Sequence, residues 1–128
     1  MNKLNLNFKS TDKLNIDVYD IENGVEIIFK GFIDDKNPEA MLSSFFNEAH
    51  DKIIKSSIKY IELDFTKLIF LNSSGIKILI QWITKDATLS QDKQYYFRLK
   101  INSDFHWQEN STSMLKMLVP DLITISKE

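Results

Sequence analysis

Residues Tyr60 to Ile83 read YIELDFTKLIFLNSSGIKILIQWI. In Tyr60-Ile61-Glu62-Leu63-Asp64-Phe65 polar and apolar residues alternate, the period of a strand with one buried face. Leu68-Ile69-Phe70-Leu71 is a short apolar run that leads directly into Asn72-Ser73-Ser74-Gly75. From about Ser74 to Asp86 the spacing turns helical, with Ile76, Leu79, Ile80 and Ile83 on an inner stripe and Lys77, Gln81 and Lys85 on a polar one. A strand that passes through small residues into an amphipathic helix is half of a parallel crossover unit.

The flanking sequence extends this pattern. Upstream, Leu14, Ile16 and Val18 alternate with polar residues, and Val25, Ile27 and Phe29 repeat the alternation after Glu22-Asn23-Gly24. Asn23-Gly24 favours positive φ, so these segments predict a β-hairpin. Asn37-Pro38-Glu39 then offers a cap, a proline suited to a first helical position and an acid suited to the helix dipole. The helix they predict carries Met41, Phe45, Ala49 and Ile53 with Leu42, Phe46 and Ile54, and ends near Lys52 and Lys55. Downstream, Gln94 to Ile101 reads as a strand and Asn102 to Asn110 as a polar loop carrying Phe105, His106 and Trp107. A short helix follows from Ser111 to Leu118, stopped near Pro120, and Leu122 to Ile125 reads as a last strand. The order β-β-α-β-α-β-α-β predicts an α/β fold with a mixed, mainly parallel sheet. Residues 1–13, polar with isolated Leu4, Leu6 and Phe8, are either a flexible arm or an edge strand.

Composition narrows the functions. A chain of 128 residues with 43% hydrophobic residues has enough apolar content for a real core in one domain spanning 1–128. A formal charge of -2 gives no reason to expect nucleic acid or an anionic membrane as partner. The absence of cysteine removes thiolate nucleophiles, disulfides and zinc-thiolate sites. No apolar stretch reaches the ~20 residues of a membrane span and the N-terminus does not resemble a signal peptide, so a cytoplasmic protein is expected. The sequence contains no Gly-rich phosphate loop, no nucleophile elbow and no pair of metal ligands at a recognised spacing, and His50 and His106 stand apart. No catalytic residue, metal or cofactor is expected.

The chemistry that remains lies at Asn72-Ser73-Ser74-Gly75. A helix start presents unpaired N–H groups and a positive dipole end, and Gly75 removes a side chain that would hold an anion away. A phosphate on Ser73 would be tolerated there. Taken alone, the same four residues also read as a simple helix cap.

This segment resembles the STAS domain of anti-sigma-factor antagonists. Those domains have an apolar-Asp-apolar strand, a short apolar run and Asp-Ser-Ser-Gly opening a helix. Here the matching residues are Leu63-Asp64-Phe65, Leu68 to Leu71 and Asn72-Ser73-Ser74-Gly75-Ile76. Upstream, Gly31-Phe32-Ile33-Asp34 matches the family's Gly-x-apolar-Asp before the first helix. The shared element order spans about residues 14–125, and the motifs cover two short windows of it. The resemblance implies a STAS-like fold and a non-catalytic protein that switches between partners when a serine kinase phosphorylates, and a phosphatase restores, the position matching Ser73. A downstream regulated protein would be the target. Asn72 departs from the usual acid, keeping the cap and losing the charge, as in a divergent STAS-like branch of small regulatory phosphoproteins.

Other residues admit two readings each. Ser74 is a second phosphorylation candidate or a structural cap. Asp34 is a rim contact of the partner interface or the start of a turn, and Asp64 caps a strand end beneath the loop. Ile78 and Trp82 project away from the inner stripe of the second helix. They are either a partner-facing patch with a tryptophan anchor or packing against a neighbouring helix. His50 lies at the edge of the core, and Phe105-His106-Trp107 form a binding surface or tuck under a sheet edge. The alternative function is a STAS-fold scaffold or small-ligand module without phosphorylation.

Overall fold

The computed structural model describes residues 2–34 and 39–128. Five strands, β1 (Leu14–Ile21), β2 (Gly24–Ile33), β3 (Tyr60–Leu71), β4 (Tyr96–Ile101) and β5 (Ile123–Lys127), form one sheet in the order β1-β2-β3-β4-β5. The first pair is antiparallel and the others are parallel, so the mixed sheet read from the element order is present. Helices α1 (Glu39–Ser56), α2 (Ser73–Ala87) and α3 (His106–Leu118) are the three crossovers. A parallel crossover is nearly always right-handed, so strands added in one direction place every helix on one face. That face carries the aligned rows Val25, Ile61, Phe97, Ile123 and Ile27, Leu63, Leu99. Leu42, Phe46, Ile53, Leu79, Ile83 and Leu115 cover them from the helices. Leu4 and Leu6 join the same core, so the N-terminal arm is tied down without forming a strand.

The hairpin forms, with a different turn from the one the sequence suggests. Glu22 and Asn23 make the two-residue connection, and among the described residues neither they nor Gly24 has positive φ. Gly24 is needed for space, because a Cβ there would run into the Tyr60 carbonyl oxygen. Gly31 is the glycine with positive φ, +105°, and a side chain on it would strike the Lys13 carbonyl oxygen. The Asn37-Pro38 cap expected for α1 lies outside the described residues.

Two further expectations are corrected. The alternation of Tyr60 to Phe65 and the run Leu68 to Leu71 are one strand, carried through two bulges where β3 gains residues on β2. Asp64 therefore caps no strand end. Its Oδ1 accepts the Thr66 N–H at 2.8 Å and the Thr66 hydroxyl at 2.6 Å, holding the first bulge from within the strand. The last helix begins at His106, not Ser111, and the residues expected to be a loop form its first turns.

The helices are fixed to one another by a buried polar array. Trp82 stacks on Phe46 of α1 with ring centroids 4.8 Å apart, and its Nε1 donates to the Tyr95 hydroxyl at 2.8 Å. The hydroxyl's own proton is then directed to His50 Nδ1, 2.6 Å away, which assigns His50 its neutral Nε2–H form. Burial, with Lys85 adding to it, lowers the His50 pKa in accord with that form. The Tyr95 N–H in turn donates to Asp86 Oδ1 at 3.0 Å, while Asp86 Oδ2 is buried with no hydrogen-bond partner among the described residues.

Burial pushes the Asp86 carboxyl from 3.8 up to about 6. The folded chain thus holds this proton more tightly than the unfolded chain does. The resulting stability is complete below about pH 4 and is lost as the pH rises through about 6. His50 acts oppositely, contributing above 6.5 and losing that contribution as pH falls. Substituting Asp86→Asn isolates the first effect. The stability of wild type relative to the variant is expected to fall by up to about 3 kcal/mol between pH 4 and pH 7, read from urea unfolding at both values.

Candidate functional site

At the carboxyl ends of β2 and β3 the register pairs Ile33 with Leu71, so Asp34 and Asn72 leave the sheet side by side. The Asn72 N–H donates to the Ile33 carbonyl at 2.9 Å. Asn72 is extended, with φ -77° and ψ 171°, and its Oδ1 accepts the Gly75 N–H at 2.8 Å. It is the N-cap of α2, and Ser73, Ser74 and Gly75 are the first three helical residues. The amides of Ser73 and Ser74 have no acceptor within the helix by construction, and no acidic residue occupies the first turn. Gly75 is buried, and a Cβ on it would come within 2.5 Å of Leu71 Cδ1 and 2.9 Å of Ile33 Cγ2. Glycine thus lets the helix start sit down on the strand ends.

Within this frame Ser73 is exposed and Ser74 is half-buried. Asp34 is exposed and paired with Lys13 at 3.3 Å. Ile78 and Trp82 are elsewhere. They are 3% and 2% exposed, part of the inner face with Leu79 and Ile83, whereas Ile76 and Ile80 are only half-buried. The partner-facing patch assigned to Ile78 and Trp82 is therefore corrected: α2 lies against α1 as well as the sheet, so its buried arc is wider than one stripe.

The exposed apolar surface lies on the strand ends. Phe32, Ile69 and Phe70 are 40%, 46% and 47% exposed, and Phe32 and Phe70 are register partners. Met41 joins Phe32 in a shallow depression with Phe8, Leu14 and Leu42. The sequence carried this signal unread. In Ile33 and Leu71 the buried side of each strand end is visible, and by the period of two their neighbours Phe32 and Phe70 face outward.

The start of α3 supports the same strand end. β4 pairs with β3 only as far as Asp64, opposite Lys100, so the β3 carbonyls beyond it need other donors. Gln108 Nε2 donates to Phe65 O at 2.6 Å and Leu68 O at 2.8 Å. Asn102 Nδ2 reaches Thr66 O at 3.3 Å, and Trp107 Nε1 reaches Ile69 O at 2.8 Å. Gln108 Oε1 also accepts the Asn102 N–H at 2.7 Å. Trp107 thus tucks against the sheet edge, while His106 is exposed.

No family model matches this sequence, and no curated protein matches it either. Among solved structures it is similar to the crystal structure of an anti-sigma factor antagonist from Mycobacterium paratuberculosis. The TM-score is 0.60 at 17% identity, over 93% of this chain and 90% of that one. At that identity the likeness is one of fold, and the fold is STAS-like. No helix among the described residues is long and apolar enough to cross a membrane, and no cluster of three or more His, Asp or Glu suited to a metal is found among them.

Three substitutions separate framework from surface. Gln108→Leu leaves three backbone groups without their partner, two of them in buried bonds, and is expected to cost roughly 2–5 kcal/mol, read as a lowered urea midpoint. Trp82→Ala is expected to cost about 3–5 kcal/mol as a core truncation, whereas Ser73→Ala stays within about 0.5 kcal/mol of wild type.

Proposed function

We propose that this chain is a non-catalytic regulatory protein of one STAS-like domain, binding a protein partner at the start of α2 and released from it by phosphorylation of Ser73. A serine kinase would add the phosphate and a phosphatase would remove it. The observation that carries this reading is the exposure of Ser73 at the first position of α2, next to a strand-end surface formed by Phe32, Ile69 and Phe70. The fold shared with an anti-sigma factor antagonist supports the regulatory class.

The electrostatics favour a switch that leaves the fold intact. A phosphoserine adds about -1.5 to -2 charges. On Ser73 these charges fall at the positive end of the α2 dipole, beside amides that have no acceptor within the helix, and Lys77 is exposed one turn along. Within the chain the modified serine is well accommodated. A partner that buries Phe32, Ile69 and Phe70 would have to desolvate the phosphate with them, and the cost falls on the complex. A near-complete change in occupancy needs about 5.5 kcal/mol of differential affinity, which places Ser73 inside the contact area. Ser74, half-buried under the cap, is suited to a structural role.

The test is affinity capture from lysate of the source cell with wild type, Ser73→Ala and Ser73→Glu as parallel baits, followed by titration of the captured partner. Ser73→Glu is expected to weaken binding at least ~tenfold with the melting temperature nearly unchanged. A Phe32→Ser/Phe70→Ser variant should lose the same partner. Equal affinity of the alanine and glutamate forms would favour a scaffold or ligand module that does not use Ser73.

A further inference from the structure

The opposite end of the sheet carries a second site. With all helices on one face, the other face is open, and at the amino ends of β3 and β4 it holds a groove of about 620 Å³. Its floor is formed by Tyr60 and Tyr96, register partners at the starts of β3 and β4. The two tyrosine rings are stacked, with centroids 5.7 Å apart and planes at 25°, yet 51% and 45% exposed. The β1–β2 turn, with Glu22 and Asn23, forms one wall, and Asp121 forms the other. Glu62 and Arg98 stand on the next row, opposite each other across β3 and β4.

The charges of this face do not balance. Lys100 lies within 4 Å of four carboxylates, Glu62 at 3.2 Å, Glu26 at 3.4 Å, Glu128 at 3.7 Å and Asp64 at 3.9 Å. Burial raises the pKa of Glu26, with Lys100 opposing and Glu62 and Asp64 adding to the rise, as expected where acids outnumber cations. Arg98, the chain's single arginine, hydrogen-bonds Ser126 at 3.5 Å. Together with Glu22 and Asp121, six carboxylates lie along the groove and the rows beside it, against three cations, Lys100, Arg98 and Lys3, whose Nζ donates to the Ile21 carbonyl at 2.9 Å and the Gly24 carbonyl at 3.5 Å.

A flat, exposed pair of tyrosine faces bounded by unbalanced carboxylates is the environment that attracts an alkylammonium or guanidinium group. We propose that this groove docks a basic segment of a partner protein, an arginine or lysine side chain lying over Tyr60 and Tyr96 and the following cations running along the acidic rows. The open trough suits an extended chain better than an enclosed small molecule. The site is independent of Ser73. Tyr60 and Leu71 pair with Gly24 and Ile33, so nine residue steps of β2, about 30 Å at strand rise, separate the two, and both can be occupied at once.

The test uses a fluorescein-labelled octapeptide of alternating arginine and glycine, titrated by anisotropy into the full chain at low salt, with amide chemical shifts to locate it. Binding is expected with shifts centred on Tyr60, Tyr96 and Glu62. Tyr60→Ala/Tyr96→Ala should weaken it at least ~tenfold, Tyr60→Phe/Tyr96→Phe should retain it, and Ser73→Glu should leave it unchanged. Circular dichroism of each variant confirms folding. The proposal is overturned by equal affinity of wild type and the double alanine variant, or by shifts centred elsewhere. It is likewise overturned by no binding at millimolar peptide, or by spermine binding as tightly as the peptide.

Discussion

The strand order β1-β2-β3-β4-β5 governs what the molecule can present to a partner. With a fixed crossover hand and no reversal of direction, α1, α2 and α3 must lie on one face. Three consequences follow. The apolar rows of β2, β3 and β4 have a single cover and form one core. The other face keeps its polar and aromatic rows in water. The ends of the sheet, where helices enter and leave, are the places where backbone groups and strand-end side chains emerge together.

At the carboxyl end this geometry is made specific by a few hydrogen bonds. Asn72 ties β2 to α2 through Ile33 O and caps the helix through Gly75 N, so the position of Ser73 is set by two strands and a helix at once. On the far side of β3, Gln108, Asn102 and Trp107 occupy carbonyls that a longer β4 would have taken. The strand end is held firmly on both flanks while Ile69 and Phe70 remain exposed between them. A surface built in this way keeps its shape whether or not Ser73 carries a phosphate, so a switch located here acts through charge and steric exclusion at the contact and needs no refolding.

The element order and the mixed parallel sheet were legible in the sequence because alternation and helical spacing are local signals, and β3 and α2 carry both strongly. The Asn72 cap was legible in the same stretch, whereas Asp34 stood out through the Gly31-Phe32-Ile33-Asp34 motif and its place beside Asn72 comes from the strand register. The partner face of α2 did not. One helix touching both a sheet and a second helix buries an arc that periodicity alone cannot assign to core or surface, so Ile78 and Trp82 read as excess although both are buried, Trp82 against Phe46 of α1. The first turns of α3 were hidden for a related reason. His106 is exposed, and Trp107 and Gln108 add no helical apolar stripe because their work is hydrogen bonding to β3; the need for those donors becomes visible only once β4 is known to stop opposite Asp64.

Asn72 also bears on how such a switch is tuned. An aspartate at the cap would accept the Gly75 N–H equally well and add a negative charge beside Ser73. That charge would already draw on the favourable field of the helix start and would repel an incoming phosphate. With a neutral amide at the cap that charge is absent, so under the proposed switch the change in charge at the helix start would come from the modification alone. An uncharged cap would also leave the surface around Phe32 and Phe70 less polar before modification, which is the state in which the proposed partner would bind it.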